Sequence, residues 1–184
     1  MIRVFDSLVP ASLADKLEEA FLNDDTDWNL AQGCGGYQNI NVKDSDNVKD
    51  TPQMYHSLVS DNAPKTPLTS LAMCVLFFLE DKTGIFPNFI TRVKANLLFP
   101  LFDNPDQFHP PHIDIDNSNA LTLVYYVNDS DGPTRIFGPD GTIIQTIEPK
   151  KGRAVLFPSD WTHASSCPIN SQKRIVINYV FLPK

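Results

Sequence analysis

In the segment QFHPPHIDID, His112 and Asp114 stand one residue apart. On an extended chain, side chains two apart point to the same side with Cα atoms ~6.7 Å apart, so an imidazole and a carboxylate can converge there on one ion. A second imidazole would complete a two-histidine, one-carboxylate set. Such a set holds one face of an octahedral ion, leaves the opposite positions open, and is the donor set of non-haem iron(II) centres. His163, in FPSDWTHASS, is the only histidine downstream, and the strand before it can lie beside the His112 segment in a small barrel. A competing H-x-x-H pair, His109 with His112, is opposed by Pro110 and Pro111, which forbid the helical turn it needs. His109 is read instead as a loop residue near the mouth of the site. Asp116 shares the alternating face of Asp114 and stays open as the alternative carboxylate.

Arg174 follows His163 by eleven residues and opens RIVINYVF. A lone arginine at a strand start is ordinarily a solvated residue. Beside a metal set with open positions it has another use, because the planar guanidinium fork suits the remote carboxylate of an anionic co-substrate in a partly dry pocket. Trp161, two residues before His163, is a candidate for the substrate wall.

Elements must position these groups. Residues Ile2 to Phe5 read as a short strand, and Pro10 opens a helical pattern with Leu13, Leu17, Ala20 and Phe21 on one face. From Asp24 to Pro64 the chain is polar, with Gly33, Gly35 and Gly36 together, and reads as loops with one or two short strands. Thr66 is placed to cap a second helix with Pro67 in its first turn. Leu68, Leu71, Ala72, Val75, Leu76 and Leu79 form the packing face of that helix, which ends near Lys82 and Gly84. After Pro87 come FITRVKANLLF, ALTLVYYVND, TRIFG, TIIQTIEP, RAVLFP and RIVINYVFL, each bounded by turn-forming residues. Closely spaced strands without intervening helices indicate an antiparallel sandwich or barrel. The expectation is a mostly β fold, a jelly-roll core with the N-terminal helices packed outside. Leu123, Ile136 and Val176 are read as core.

Length and composition agree with one compact domain: of 184 residues, 42% are hydrophobic and 20% charged, ordinary globular values. The net charge of −7 repels phosphate backbones as a whole, so nucleic acid is not the expected partner. The first residues lack the basic start and apolar run of a secretory signal, and the longest apolar stretch, Ser70 to Leu79, is too short to span a bilayer. These features give the expectation of a cytoplasmic protein without a membrane segment. Cys34, Cys74 and Cys167 form no C-x-x-C and suggest neither a disulfide framework nor a zinc knuckle. Cys74, in an apolar run, is read as core.

Five motifs in order carry a resemblance over residues 92–181: H-I-D at 112–114, A-L-T-L-V-Y-Y-V-N at 120–128, D-G-P-T-R-I-F at 131–137, I-E-P-K-K-G-R-A-V-L-F-P at 147–158 with His163 after it, and K-R-I-V-I-N-Y-V-F at 173–181. Together they resemble the iron(II)/2-oxoglutarate-dependent dioxygenases of the prolyl 4-hydroxylase type. The resemblance implies a double-stranded β-helix over about 90–182 within one oxygenase domain, 1–184. It implies Fe(II) held by His112, Asp114 and His163, with 2-oxoglutarate and O2 as co-substrates and release of succinate and CO2. It further implies that Arg174 pairs with the distal carboxylate of 2-oxoglutarate, that Tyr126 shares that contact, with Tyr125 kept open as the alternative, and that Asn178 and Asn96 supply polar contacts. The expected substrate is a peptide, prolyl residues included, or a small molecule. The turn at Asp131–Thr134 and the proline-rich loop 102–111 depart from the pattern and are expected near the substrate mouth. The alternatives are a non-catalytic metal-binding jelly-roll module and a metal-dependent hydrolase.

Overall fold

The computed structural model describes residues 1–23, 26–34, 40 and 42–184. Within the segment read as loops, 24–25, 35–39 and 41 lie outside the described residues, Gly35 and Gly36 among them. The elements are β1 (Arg3–Phe5), α1 (Ala11–Leu22), β2 (Asn29–Ala31), β3 (Gln53–Ser60), β4 (Ala63–Pro64), α2 (Leu68–Thr83), β5 (Pro87–Leu98), β6 (Leu121–Tyr126), β7 (Thr134–Phe137), β8 (Ile143–Ile147), β9 (Ala154–Pro158), β10 (His163–Ser165) and β11 (Arg174–Pro183). The large sheet runs β1-β9-β6-β11-β5-β3-β2, with β4 on β3, and a smaller sheet runs β10-β7-β8. All their pairings are antiparallel. The architecture is the expected one, mostly β with two helices.

Strand alternation divides the interior. Leu123 and Tyr125 of β6, Ile175, Ile177, Tyr179 and Phe181 of β11, and Val93, Ala95 and Leu97 of β5 pack with α1 and α2 in the main core. Val124, Tyr126 and Val176 point the other way and meet Ile136 and Ile147 of the small sheet. Successive strand residues face opposite sides, so the central strand β11 is buried on both faces. Arg174, Asn178 and, on β5, Lys94 and Asn96 share the inner side, away from the helices.

Three local readings are corrected. Thr66 does not cap α2; the position before the helix is Pro67, and the Thr66 hydroxyl lies 3.0 Å from His56 Nε2. Cys74 is half-buried, with its thiol donating to Ser70 O at 3.4 Å, because the buried face runs through Thr69, Ala72, Val75, Leu76 and Leu79. In α1 the buried residues are Ala14, Leu17 and Phe21, so Ala14 takes the place given to Ala20. Gly84 ends α2 at φ +71°, and its N–H donates to Glu80 O at 2.7 Å, a left-handed cap suited to glycine. Two anchors hold the helix to the sheet: Tyr179 donates from its hydroxyl to Ala72 O at 2.7 Å, and Thr69 to Leu58 O at 2.6 Å.

Candidate functional site

His112 and His163 are joined through their peptides before their side chains are considered. His112 N donates to His163 O at 3.0 Å and His163 N to His112 O at 2.9 Å, a one-residue antiparallel bridge that sets the two rings 4.5 Å apart. The H-I-D segment is irregular rather than a full strand, so this reciprocal bridge does the positioning. Each imidazole is then oriented by a carbonyl: His112 Nδ1 lies 3.2 Å from Pro110 O and His163 Nδ1 3.0 Å from Trp161 O. A carbonyl only accepts, so Nδ1 carries the proton and Nε2 keeps its lone pair for a metal. Burial, then the neighbouring His163, lowers the His112 pKa to about 4, which keeps the ring neutral as a ligand must be.

Asp114 joins them, its Oδ2 3.7 Å from His163 Nε2 and its side chain 1% exposed. Its backbone N–H donates to Ser159 O at 3.0 Å. The Thr122 hydroxyl donates to Oδ2 at 2.7 Å, Arg92 Nη2 pairs with Oδ1, and Asn178 Nδ2 lies 3.3 Å from Oδ1. Burial alone would raise this carboxyl's pKa; electrostatic interaction with neighbouring His163, Arg92 and His112 and the Thr122 hydrogen bond outweigh it and hold the value to about 2. One donor atom from each of His112, Asp114 and His163 falls within 4.8 Å of the others, the only such group found among the described residues.

These three residues line a cavity of about 310 Å³ that also reaches Arg92, Lys94, Asn96, Thr134, Arg174 and Asn178. Arg174 is 1% exposed. Its Nε donates to Gly132 O at 2.6 Å and its Nη2 to Thr134 Oγ1 at 2.8 Å, and its guanidinium carbon stands 5.7 Å from the centre of the Tyr126 ring. A Cβ on Gly132 would sit 2.5 Å from Ser166 O, so only glycine brings this carbonyl so close. Among the described residues no carboxylate pairs with Arg174, and burial pushes its pKa below the ordinary arginine value. An isolated buried cation is costly unless paired, so the arrangement fits a bound anion. Asn96 Oδ1 and Asn178 Oδ1, both on the cavity side, are buried without a hydrogen-bond partner.

The Tyr126 hydroxyl does not itself line the cavity; it donates to Thr134 Oγ1 at 2.8 Å. Thr134 accepts from both Tyr126 and Arg174, which leaves its own hydroxyl proton free to point into the cavity. Tyr125 faces the helices, as strand parity requires. Asp116 is exposed and outside the cluster, because the chain turns away after Asp114. His109 is not at the mouth: it is fully buried, 2.9 Å from Thr51 Oγ1 through Nε2 and 2.9 Å from Ser165 O through Nδ1. The loop 102–111 contributes no lining residue. Trp161 lines a different cleft, with Phe137, Pro139 and Ile144, because the Trp161 carbonyl rather than its ring faces His163. Sequence reasoning missed Arg92, Lys94, Thr122 and Thr134. The alternation of Arg92, Lys94 and Asn96 with apolar Val93, Ala95 and Leu97 was the available signal.

Residues 99–182 match the model of the 2OG-Fe(II) oxygenase superfamily. No curated relative matches the sequence. Among solved structures the fold is similar to a 2OG-Fe(II) oxygenase family oxidoreductase from Burkholderia pseudomallei, with TM-score 0.67 and 14% identity over 98% of this chain and 84% of that one. It is also similar to a Pseudomonas putida prolyl-4-hydroxylase, with TM-score 0.63 and 15% identity over 100% and 92%. A Trichoplax adhaerens prolyl hydroxylase in complex with a hypoxia-inducible-factor peptide fragment gives TM-score 0.60 and 14% identity over 98% and 83%. At these identities the likeness is one of fold.

Proposed function

We propose that this chain, 1–184, works as one domain hydroxylating a peptide or small-molecule substrate, because residues 99–182 match the model of the 2OG-Fe(II) oxygenase superfamily, whose members use Fe(II), 2-oxoglutarate and O2. In this reading His112, Asp114 and His163 hold Fe(II), and Arg174 with Thr134 takes the distal carboxylate of 2-oxoglutarate. The observation that carries it is the fully buried Arg174, without a carboxylate partner among the described residues, lining the same cavity as the three donor residues. When bound, iron and the keto acid supply the oxidative chemistry, with succinate and CO2 released.

The protein's own groups have separable tasks. The Nδ1 carbonyl bonds aim both imidazoles, and Arg92 and Thr122 occupy the outer lone pairs of Asp114 so that the carboxylate keeps one orientation. Tyr126 acts on the co-substrate through Thr134 rather than by touching it. Val124, Val176 and Leu98 give the cavity an apolar side that limits water. Asn96 and Asn178 offer their unpartnered oxygens to a donor on co-substrate or substrate. The similarity to prolyl hydroxylases supports a peptide substrate with a prolyl target; the small cavity supports a compact one.

Anaerobic addition of Fe(II) and 2-oxoglutarate is expected to give a weak visible charge-transfer band that Asp114→Ala abolishes. If neither metal nor keto acid binds, the oxygenase reading is wrong. A metal-dependent hydrolase would turn over without O2, whereas this reading requires O2-dependent succinate. A non-catalytic module would bind both ligands and release no succinate with any substrate.

A further inference from the structure

The cavity carries more positive charge than the iron and keto acid use. Its lining includes three cations, Arg92, Lys94 and Arg174, against one carboxylate, Asp114. A divalent metal and doubly charged 2-oxoglutarate cancel each other, so two positive charges stay unbalanced in a protein whose net charge is −7. Arg174 is accounted for by the keto acid and one nitrogen of Arg92 by Asp114. Lys94 has no such partner: among the described residues its ammonium makes no ion pair, and it stands 5.6 Å from the centre of the Tyr55 ring, whose face supplies no counter-charge. Arg92 Nε is also buried without a hydrogen-bond partner.

Strand register separates these cations from Arg174. Arg174 pairs with Leu98 across β11 and β5, whereas Lys94 pairs with Asn178, four residues on, and Arg92 with Val180. Four residues span ~13 Å along a strand, so the Lys94 backbone stands at the level of Asn178 and that of Arg174 a full ~13 Å further along the sheet. Asn178, which contacts Asp114, marks the level of the metal. The cavity thus has an arginine pole for the co-substrate and, at the level of the metal and beyond it, a second pole of Lys94 and Arg92.

From this layout, and resting on the oxygenase reading above, we infer that Lys94 and the free side of Arg92 form an anion subsite, so that the substrate carries a carboxylate or a phosphate. Burial, and then the neighbouring Arg92 charge, lower the Lys94 pKa against the smaller opposing pull of Asp114. Arg92, with its side chain 38% exposed, can contact the substrate anion and Asp114 together. Asn96 Oδ1, on the same face of β5, accepts a donor from the substrate backbone or amide.

The test uses protein loaded with Fe(II) and 2-oxoglutarate without oxygen, the visible band recording the loading. It is titrated calorimetrically with N-acetyl glutamate N-methylamide and its glutamine counterpart, with the aspartate and asparagine pair, and with inorganic phosphate. The expected result is at least tenfold tighter binding of an acid than of its amide, or of phosphate than of either amide, with the preference lost in Lys94→Gln and kept in Lys94→Arg. Acid preference without phosphate binding identifies a carboxylate substrate; the reverse identifies a phosphorylated one. The inference is overturned if acids and amides bind alike, if no probe binds the loaded protein, or if Lys94→Gln keeps the preference. Absence of the band would instead count against the cofactor assignment. The Lys94 subsite is then judged by phosphate titration of unloaded protein, and equal binding by wild type and Lys94→Gln overturns it.

Discussion

Arg174 is the residue on which the co-substrate assignment turns. Truncating one partner of a buried charge pair costs roughly 2–5 kcal/mol, so Arg174→Ala should weaken 2-oxoglutarate binding about 30-fold or more in an anaerobic titration. Arg174→Lys keeps the charge but loses the fork and should recover part of it; a change under threefold in both would remove Arg174 from the site. Asp131 acts on the same region from outside. Its carboxylate accepts from the backbone N–H groups of Ile169, Asn170 and Ser171, which tie the turn before β7 to the loop before β11. Desolvation opposes the effect, but the hydrogen bonds from Asn170 and Ser171 bring its pKa to about 2. A depressed folded pKa means stability present above the unfolded value near 4 and lost as pH falls toward 2. Because the group is partly exposed, about 1 kcal/mol is expected. Denaturant unfolding of wild type and Asp131→Asn should therefore differ at pH 6 and converge near pH 2. That His112, Asp114, His163 and Arg174 come together was legible from residue type and spacing, whereas His109 was misplaced. Arg92 and Lys94 were not, because long cations in a strand are normally solvated and only the folded sheet shows which side of β5 is enclosed.

At the scale of elements, α2 is held by its apolar face and two hydrogen bonds, and it backs the strands that carry the site. Leu79 is fully buried in that interface. Leu79→Ala should cost roughly 2–5 kcal/mol, read as a lower midpoint in thermal or denaturant unfolding. A loss under 0.5 kcal/mol would mean that α2 does not support the sheet as described. The two helices and six of the seven strands from Pro87 onward were legible because their apolar periods are regular. β3 was not: its pairing with β5 shifts register between Ser57 and Val59, so Leu58 and Val59 are both buried and the alternation that signals a strand breaks. β10 has only three residues, too few for any period, and is recognised by what it pairs with.

For the whole molecule, two sheets and two helices enclose a site whose charges are incompletely matched by protein. No helix among the described residues is long and apolar enough to cross a membrane. Ligands that bind only the folded state raise its stability by about 2.7 kcal/mol at a hundredfold excess over Kd. Fe(II) with 2-oxoglutarate should therefore raise the unfolding temperature by several degrees, and more than either alone. Equal shifts with 2-oxoglutarate in the presence and absence of metal would argue against a shared site. The same enclosure gives the site an internal clock. The amide N–H groups of His112 and His163 each donate to the other residue's carbonyl, at a point where one flanking segment is irregular. Neither can swap with solvent deuterium until the bridge opens, and opening it parts the two imidazoles. Their exchange rate thus counts how often the ligand pair comes apart, and metal should slow both protons by the same factor.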